Sequence, residues 1–210
     1  MGDAPPLPAL EAWDQSRICA VKRLTSQFLL GTDAKRRGYR LVKFATQLAV
    51  AALHIFPAAA LADSVADCND GSDPARQIRG CTAVIARTML SDALSTAYMN
   101  RGIAYAERKE TAKALADFTA AIDADGKNNF AYYNRGNVYL DMGKLQQAVG
   151  DYSKAIEIAS DMSPAFLNRG LAHEMLGDRD ASIADYRAAL ALEPTLYAAS
   201  EGLKRLRESQ

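Results

Sequence analysis

The 210-residue sequence predicts an all-α fold in which helix-turn-helix units stack one after another. The first observation is a repeat: the tripeptide Asn-Arg-Gly begins at Asn100, Asn134 and Asn168, with a constant step of 34 residues. The second is the spacing of apolar residues within each unit, which places them on one stripe of a helix. The third is composition, because 49% hydrophobic and 24% charged residues are ordinary for a folded chain and unlike a disordered one.

The same step of 34 residues links further aromatic, small and acidic positions. These are Tyr98, Tyr132 and Phe166; Tyr105, Tyr139 and His173; Ala114, Ala148 and Ser182; Asp117, Asp151 and Asp185; Phe118, Tyr152 and Tyr186; and Ala121, Ala155 and Ala189. So many registers at one period identify a true internal repeat. One such unit cannot cover its own apolar face, so its stability must come from stacking on its neighbours.

Each unit is expected to contain two helices. The first helices are predicted near 95–108, 129–142 and 163–176, and the second near 111–124, 145–158 and 179–192. Gly143 and Gly177 fall between the two helices, where a left-handed residue ends a helix well. Lys109 has that place in the first unit, so its turn is expected to be less regular.

Two further sets recur in every unit. Gly102, Gly136 and Gly170 are expected to let the two helices of a unit approach closely. The other set pairs an arginine with an aspartate, and we interpret it as a salt bridge between helices or between repeats rather than a ligand site. Its members are Arg101, Arg135 and Arg169 with Asp117, Asp151 and Asp185.

The pattern Tyr-x-x-x-Gly-x-x-Tyr, followed by Ala-x-x-x-Tyr/Phe-x-x-Ala, resembles the tetratricopeptide repeat (TPR). The resemblance covers three units, 95–128, 129–162 and 163–196. It departs from the usual pattern at Gly126 and Ser160, where the family commonly has proline. The resemblance implies a right-handed α-solenoid that binds other proteins rather than an enzyme.

The ends of the array are also predicted. Residues 197–210 fit a capping helix with a charged outer side. Residues 63–94 fit a degenerate N-terminal repeat, in which 74–88 is the second helix and Cys81 takes the aromatic position. The stretch 63–73 is expected to be a poor or absent first helix, tied down by a disulfide.

Residues 35–62 have the layout of a secretory signal peptide. A basic cluster at 35–43 precedes an apolar run from Leu41 to Ala62, and the small residues Ala60 and Ala62 suggest cleavage before Asp63. The alternative is a retained inner-membrane anchor, since 22 residues can just span a bilayer. Residues 1–34 are either a genuine extension or the product of a start site placed too far upstream. We expect a periplasmic or secreted protein.

The cysteine count agrees with export. Removal of the signal would discard Cys19 and leave Cys68 and Cys81, an even pair that favours a disulfide in an oxidising compartment. The alternative is two buried free thiols in a cytosolic protein.

The resemblance implies a partner-binding groove on the concave side, lined by the first helices. Its expected residues are Met99, Asn100, Ile103, Tyr133, Asn134, Asn137, Leu167, Asn168 and Leu171. The recurring asparagines can bond a peptide backbone, or they can recur because they link adjacent repeats. The cationic members of the clamp by which some TPR domains grip a carboxylate tail are absent, so no such clamp is predicted.

Other functions find little support in the sequence. Residues 63–210 hold 17 of the 25 basic and 21 of the 25 acidic residues, a net charge of −4 that disfavours nucleic acid as a partner. No catalytic, metal or cofactor motif is present; His173-Glu174 lacks the second histidine of a zinc helix, because residue 177 is glycine. We expect an unknown protein or peptide partner, no cofactor, and a membrane-anchored envelope-assembly subunit only if the apolar segment is retained.

Overall fold

The computed structural model describes residues 58–208, all of which belong to the second of two compact units, Phe56–Gln210. The described residues form α-helices and no strand. The helices are α1 (Ala58–Asn69), α2 (Pro74–Ile85), α3 (Ser91–Glu107), α4 (Thr111–Ala124), α5 (Asn129–Asp141), α6 (Leu145–Ile158), α7 (Ser163–Leu176), α8 (Arg179–Leu192) and α9 (Tyr197–Glu208).

The helices form a linear array. Each helix packs against the next one along the chain, and each odd-numbered helix also contacts the next odd-numbered helix. No other pair of described helices is in contact, so every hairpin touches only its neighbours. This is the arrangement of a solenoid, in which stability comes from the stacking of adjacent units.

Close packing within each hairpin depends on glycine. The predicted stripe of Ala114, Phe118 and Ala121 is buried, with each side chain at most 1% exposed. A Cβ atom added at Gly102 would lie 2.8 Å from the Phe118 ring, and one at Gly136 would lie 2.8 Å from the Tyr152 ring. The aromatic rings therefore fill the space that the glycines leave open, and the two helices approach closely, as the sequence predicts.

The three turns between the helices of a repeat share one backbone conformation. Lys109, Gly143 and Gly177 have φ angles of 61°, 69° and 83°. The amide of Glu110 donates to the Tyr105 carbonyl at 2.8 Å, and equivalent bonds close the other two turns. The expectation of a less regular first turn is therefore wrong, because Lys109 adopts the left-handed conformation that glycine adopts elsewhere.

The N-terminal hairpin is better formed than the sequence suggests. The expectation of a poor or absent first helix over 63–73 is wrong, since α1 continues to Asn69. The Sγ atoms of Cys68 and Cys81 are 2.12 Å apart, which joins α1 to α2. A Cβ atom at Gly80 would lie 2.6–2.8 Å from atoms of α1, so the two backbones are in close contact. These contacts replace the apolar stripe that residues 63–73 lack.

The C-terminal helix α9 has one buried and one charged side. Ala199, Gly202 and Leu206 are buried, whereas Lys204 and Arg207 are exposed. Among residues 58–208, no helix is long and apolar enough to cross a membrane. The predicted extension 1–34 and the signal or anchor up to residue 57 lie outside the described residues, and the predicted cleavage point before Asp63 falls within α1.

Candidate peptide-binding face

An arginine on each first helix fixes the position of that helix. The guanidinium of Arg101 on α3 donates from Nε and Nη2 to the two carboxylate oxygens of Asp117 on α4, at 2.7 and 2.8 Å. Its third nitrogen, Nη1, donates to Thr82 Oγ1 on α2 at 3.0 Å. One side chain thus joins its own hairpin to the preceding one, and the predicted salt bridge is confirmed.

The other two repeats have the same arrangement. Arg135 donates twice to Asp151, and Arg169 donates twice to Asp185, at distances of 2.7 or 2.8 Å. The acidic side chains are at most 9% exposed, and hydrogen bonding to Asp151 raises the pKa of Arg135. These charged groups are used within the array, so the arginines fix the first helices and are not offered to a ligand.

We use the term first-helix face for the nine residues predicted to line the groove. All nine are partly exposed, and none is fully buried or fully exposed. Met99 and Ile103 pack against the core around Phe118, and Leu167 packs against the core around Tyr186. Their remaining surface is open, so the face offers apolar contact area on helices that are already fixed. The nine residues are Met99, Asn100, Ile103, Tyr133, Asn134, Asn137, Leu167, Asn168 and Leu171.

The recurring asparagines make different hydrogen bonds in the three repeats. Asn100 Nδ2 donates to the Cys68 carbonyl at 3.2 Å, which links α3 to α1. Asn134 Nδ2 instead donates to the Phe130 carbonyl of its own helix at 2.8 Å. The linking role considered from the sequence therefore holds for Asn100 and does not hold for Asn134.

Asn168 belongs to a polar network between the second and third repeats. Its Nδ2 donates to Tyr133 Oη at 3.3 Å and to Asn137 Oδ1 at 2.9 Å. Asn137 Oδ1 also accepts from Tyr152 Oη at 2.9 Å. Burial raises the pKa of Tyr152, so its hydroxyl keeps its proton and acts as the donor. Asn137 and Asn168 therefore support the array as well as lining its face.

Sequence reasoning missed two exposed apolar side chains on the first helices. Phe130 is 55% exposed and lies one helical turn before Asn134, and Met175 is 56% exposed and lies one turn after Leu171. Neither residue recurs at the repeat spacing. Thr96 and Pro164 stand where the second repeat has Phe130, and Glu107 and Asp141 stand where the third repeat has Met175. Each residue is four positions from a predicted groove residue on the same helix, and this spacing could have indicated that it adjoins the groove.

The C-terminal end of the array is closed by a tether between α7, α8 and α9. Glu174 on α7 accepts from Tyr186 Oη at 2.5 Å and from Arg205 at 2.9 and 3.0 Å. The cleft beside this tether has a volume of about 380 Å³ and is lined by Glu174, Gly177, Arg179, Arg205 and Leu206. It has no unpaired carboxylate or guanidinium from Glu174 or Arg205 with which to hold a ligand.

Among the described residues, the histidine that the sequence singles out forms no metal or catalytic cluster. His173 is partly buried, and its ring nitrogens lie 3.4 Å from Asp178 and 4.0 Å from Asp185. Within residues 58–208, no group of three or more His, Cys, Asp or Glu side chains could hold a metal ion. The absence of a cofactor remains a prediction.

Sequence models described as tetratricopeptide repeat match residues 95–128, 130–162 and 163–196. The TPR domain of Arabidopsis OM64 is 35% identical, with a TM-score of 0.56, over 57% of this chain and 99% of that one. The second TPR domain of human RPAP3 was determined in complex with the HSP70 peptide SGPTIEEVD. It is 28% identical over 56% of this chain and 95% of that one, with a TM-score of 0.52. MamA is 29% identical over 58% of this chain and 69% of that one, with a TM-score of 0.53.

No curated protein matches the chain significantly. The repeat models nevertheless match three consecutive units of the array, and the OM64 domain has a similar fold. The predicted all-α solenoid is confirmed, and the chain belongs to the tetratricopeptide repeat family.

Proposed function

We propose that this protein is an exported interaction scaffold whose first-helix face holds an extended segment of a partner protein. The observation that carries the proposal is the partial exposure of all nine face residues on helices fixed by the arginine–aspartate pairs. Because these side chains are already held by the array, the protein loses little conformational entropy when a ligand covers them. The complex of the human RPAP3 domain with an HSP70 peptide supports peptide binding by this type of array.

The binding test begins with peptides selected from a displayed random 12-residue library on the purified full chain. We expect the selected peptides to lose most of their affinity for the Tyr133→Ala/Asn134→Ala variant. Lys154→Ala serves as the control, because Lys154 is exposed on the second helix α6. Since Tyr133 also accepts a bond from Asn168, Phe130→Ser provides a second variant whose side chain is largely in solvent. Undiminished binding by both variants would refute the proposed face.

Export is supported by the basic and then apolar segment at 35–62 and by the pairing of Cys68 with Cys81. The test is the intact mass, with and without reductant, of the protein recovered from a Gram-negative host that expresses the full chain. A periplasmic product that begins near Asp63 and is two hydrogens lighter before reduction supports export. A full-length membrane product supports the alternative, an anchored subunit of an envelope assembly complex.

A further inference from the structure

The first helices of the three repeats offer no cationic side chain to a ligand. Each of α3, α5 and α7 contains a single Lys or Arg, and these are Arg101, Arg135 and Arg169. Each of the three is bound at two points to a nearly buried aspartate and at a third point to the preceding repeat. A partner carboxylate that approached the first-helix face would find no opposite charge on these helices.

The same face presents hydrogen-bond acceptors. The Nδ2 groups of Asn100, Asn134 and Asn168 are all used within the array, and no described residue donates to their Oδ1 atoms. For Asn100 and Asn134 the amide orientation follows from chemistry, because the bonded backbone carbonyls of Cys68 and Phe130 can only accept. Three amide oxygens at one register are therefore open to donors from a ligand.

Two carboxylates lie in the last turns of the first helices. Glu107 on α3 and Asp141 on α5 occupy the same register of the repeat, are exposed, and have no ion pair within residues 58–208. The nearest cation to Glu107 in sequence, Arg108, is bound to Glu110 at 2.7 Å. Asp141 lies four residues after Asn137 on α5, and Glu107 lies four residues after Ile103 on α3. Residues at this spacing are neighbours on one side of a helix, so both carboxylates adjoin the first-helix face.

We infer that the first-helix face selects peptide segments in which lysine or arginine stands beside apolar side chains, and rejects segments that end in acidic residues. The inference rests on the proposed function and names the chemistry of its partner. Phe130 and Tyr133 supply apolar area and aromatic rings on which a cation can lie. The open amide oxygens accept from the peptide backbone or from the cationic groups, and Glu107 and Asp141 supply the opposite charge.

The test uses the library-selected peptides and the full chain. We expect Lys and Arg to be at least about twofold enriched over the unselected library, with Asp and Glu depleted. The affinity should fall as salt is added. The peptide SGPTIEEVD, which the human RPAP3 domain holds, is expected to show no binding. Its counterpart with the three acidic residues replaced by lysine should bind more tightly.

Charge reversal provides the matched comparison. Asp141→Lys is expected to weaken binding of the cationic peptides about five- to tenfold. Asp123→Lys, which reverses an exposed carboxylate on the second helix α4, should change it less than twofold. A loss of binding in Phe130→Ser would show that the selected peptides bind the face. If such peptides are neutral or acidic, or if Asp141→Lys leaves their affinity unchanged, the inference is overturned and the proposed function stands. If no selected peptide depends on the face, both are overturned.

Discussion

Arg135 holds Asp151 through two parallel hydrogen bonds, Nε to Oδ2 and Nη2 to Oδ1, both 2.8 Å long. The Asp151 side chain is only 9% exposed, so removal of the guanidinium would leave a nearly buried carboxylate unpaired. We expect Arg135→Ala to lower the free energy of unfolding by about 3 kcal/mol. Arg135→Lys should recover part of this, because lysine keeps the charge but cannot make the two-point contact.

Urea unfolding followed by circular dichroism measures both variants. The control is Lys154→Ala, which removes an ion pair with Glu157 whose two side chains are 56% and 67% exposed. That change should cost less than about 0.5 kcal/mol. An equal loss from Arg135→Ala and Lys154→Ala would show that the buried pair has no special structural value.

Gly136 and Gly150 are both helical, yet alanine should have opposite effects at the two positions. A Cβ atom at Gly136 would lie 2.8 Å from the fully buried ring of Tyr152, whereas one at Gly150 would meet nothing within 4 Å. Gly136→Ala should therefore destabilise the protein by about 1–3 kcal/mol. Gly150→Ala should stabilise it by about 0.5–1 kcal/mol through helix propensity. Thermal unfolding of the two variants tests the contrast, and a gain at both positions would contradict the close helix contact.

Lys109 has a φ angle of 61°, which a lysine side chain disfavours and glycine tolerates. Because glycine avoids this cost, Lys109→Gly should raise the free energy of unfolding by about 1 kcal/mol. The reciprocal change, Gly143→Lys, should lower it by a similar amount, because Gly143 has a φ angle of 69° and open space around its Cα. Chemical denaturation of both variants is the measurement. A loss of stability in Lys109→Gly would mean that the lysine side chain stabilises the turn.

The sequence predicts much of the array because the solenoid repeats its contacts. The spacing of Arg101 and Asp117, and of Gly102 and Phe118, places each pair on facing helices in every unit. The N-terminal hairpin was harder to predict, since α1 is held by a cysteine pair and by backbone contact at Gly80 rather than by an apolar stripe. A pattern of hydrophobicity does not record such contacts.

The hydrogen bonds and the exposed aromatic residue of the first-helix face could not be predicted from the sequence for a related reason. Asn100 and Asn134 have the same register, but the first faces the Cys68 carbonyl of a neighbouring helix and the second has only its own helix within reach. The partner depends on which residue the adjacent repeat presents. Phe130 was missed because its exposure follows from its place on the helix and not from a recurring residue.

The Glu174 tether predicts a pH dependence. The hydrogen bonds from Arg205, followed by that from Tyr186, hold the pKa of the Glu174 carboxyl below its usual range despite partial burial. A carboxyl whose pKa is lower in the folded state stabilises the protein above the unfolded pKa of about 4.3. That stabilisation is lost as the pH falls through the folded pKa. We expect Glu174→Gln to cost about 1–2 kcal/mol at pH 7 and progressively less below pH 4.

Unfolding free energies of the wild type and Glu174→Gln across the acidic range provide the measurement. Glu201→Gln is the control, since Glu201 lies on α9 without an ion pair in the described part of the chain. A difference between wild type and Glu174→Gln that stays constant down to pH 3 would rule out titration of Glu174 as its cause.

The link between Cys68 and Cys81 predicts that oxidation stabilises mainly the N-terminal hairpin. The two residues are 13 positions apart, and a ring of this size contributes about 3 kcal/mol by restricting the unfolded chain. Because each hairpin of a solenoid contacts only its neighbours, the loss in Cys68→Ala/Cys81→Ala should concentrate in α1 and α2. Hydrogen exchange should show faster exchange there and unchanged protection in α5 to α8. Reductant should produce the same pattern in the wild type and no further change in the variant. A uniform loss of protection in all helices would contradict this prediction, because it would mean that the whole array unfolds as one cooperative unit.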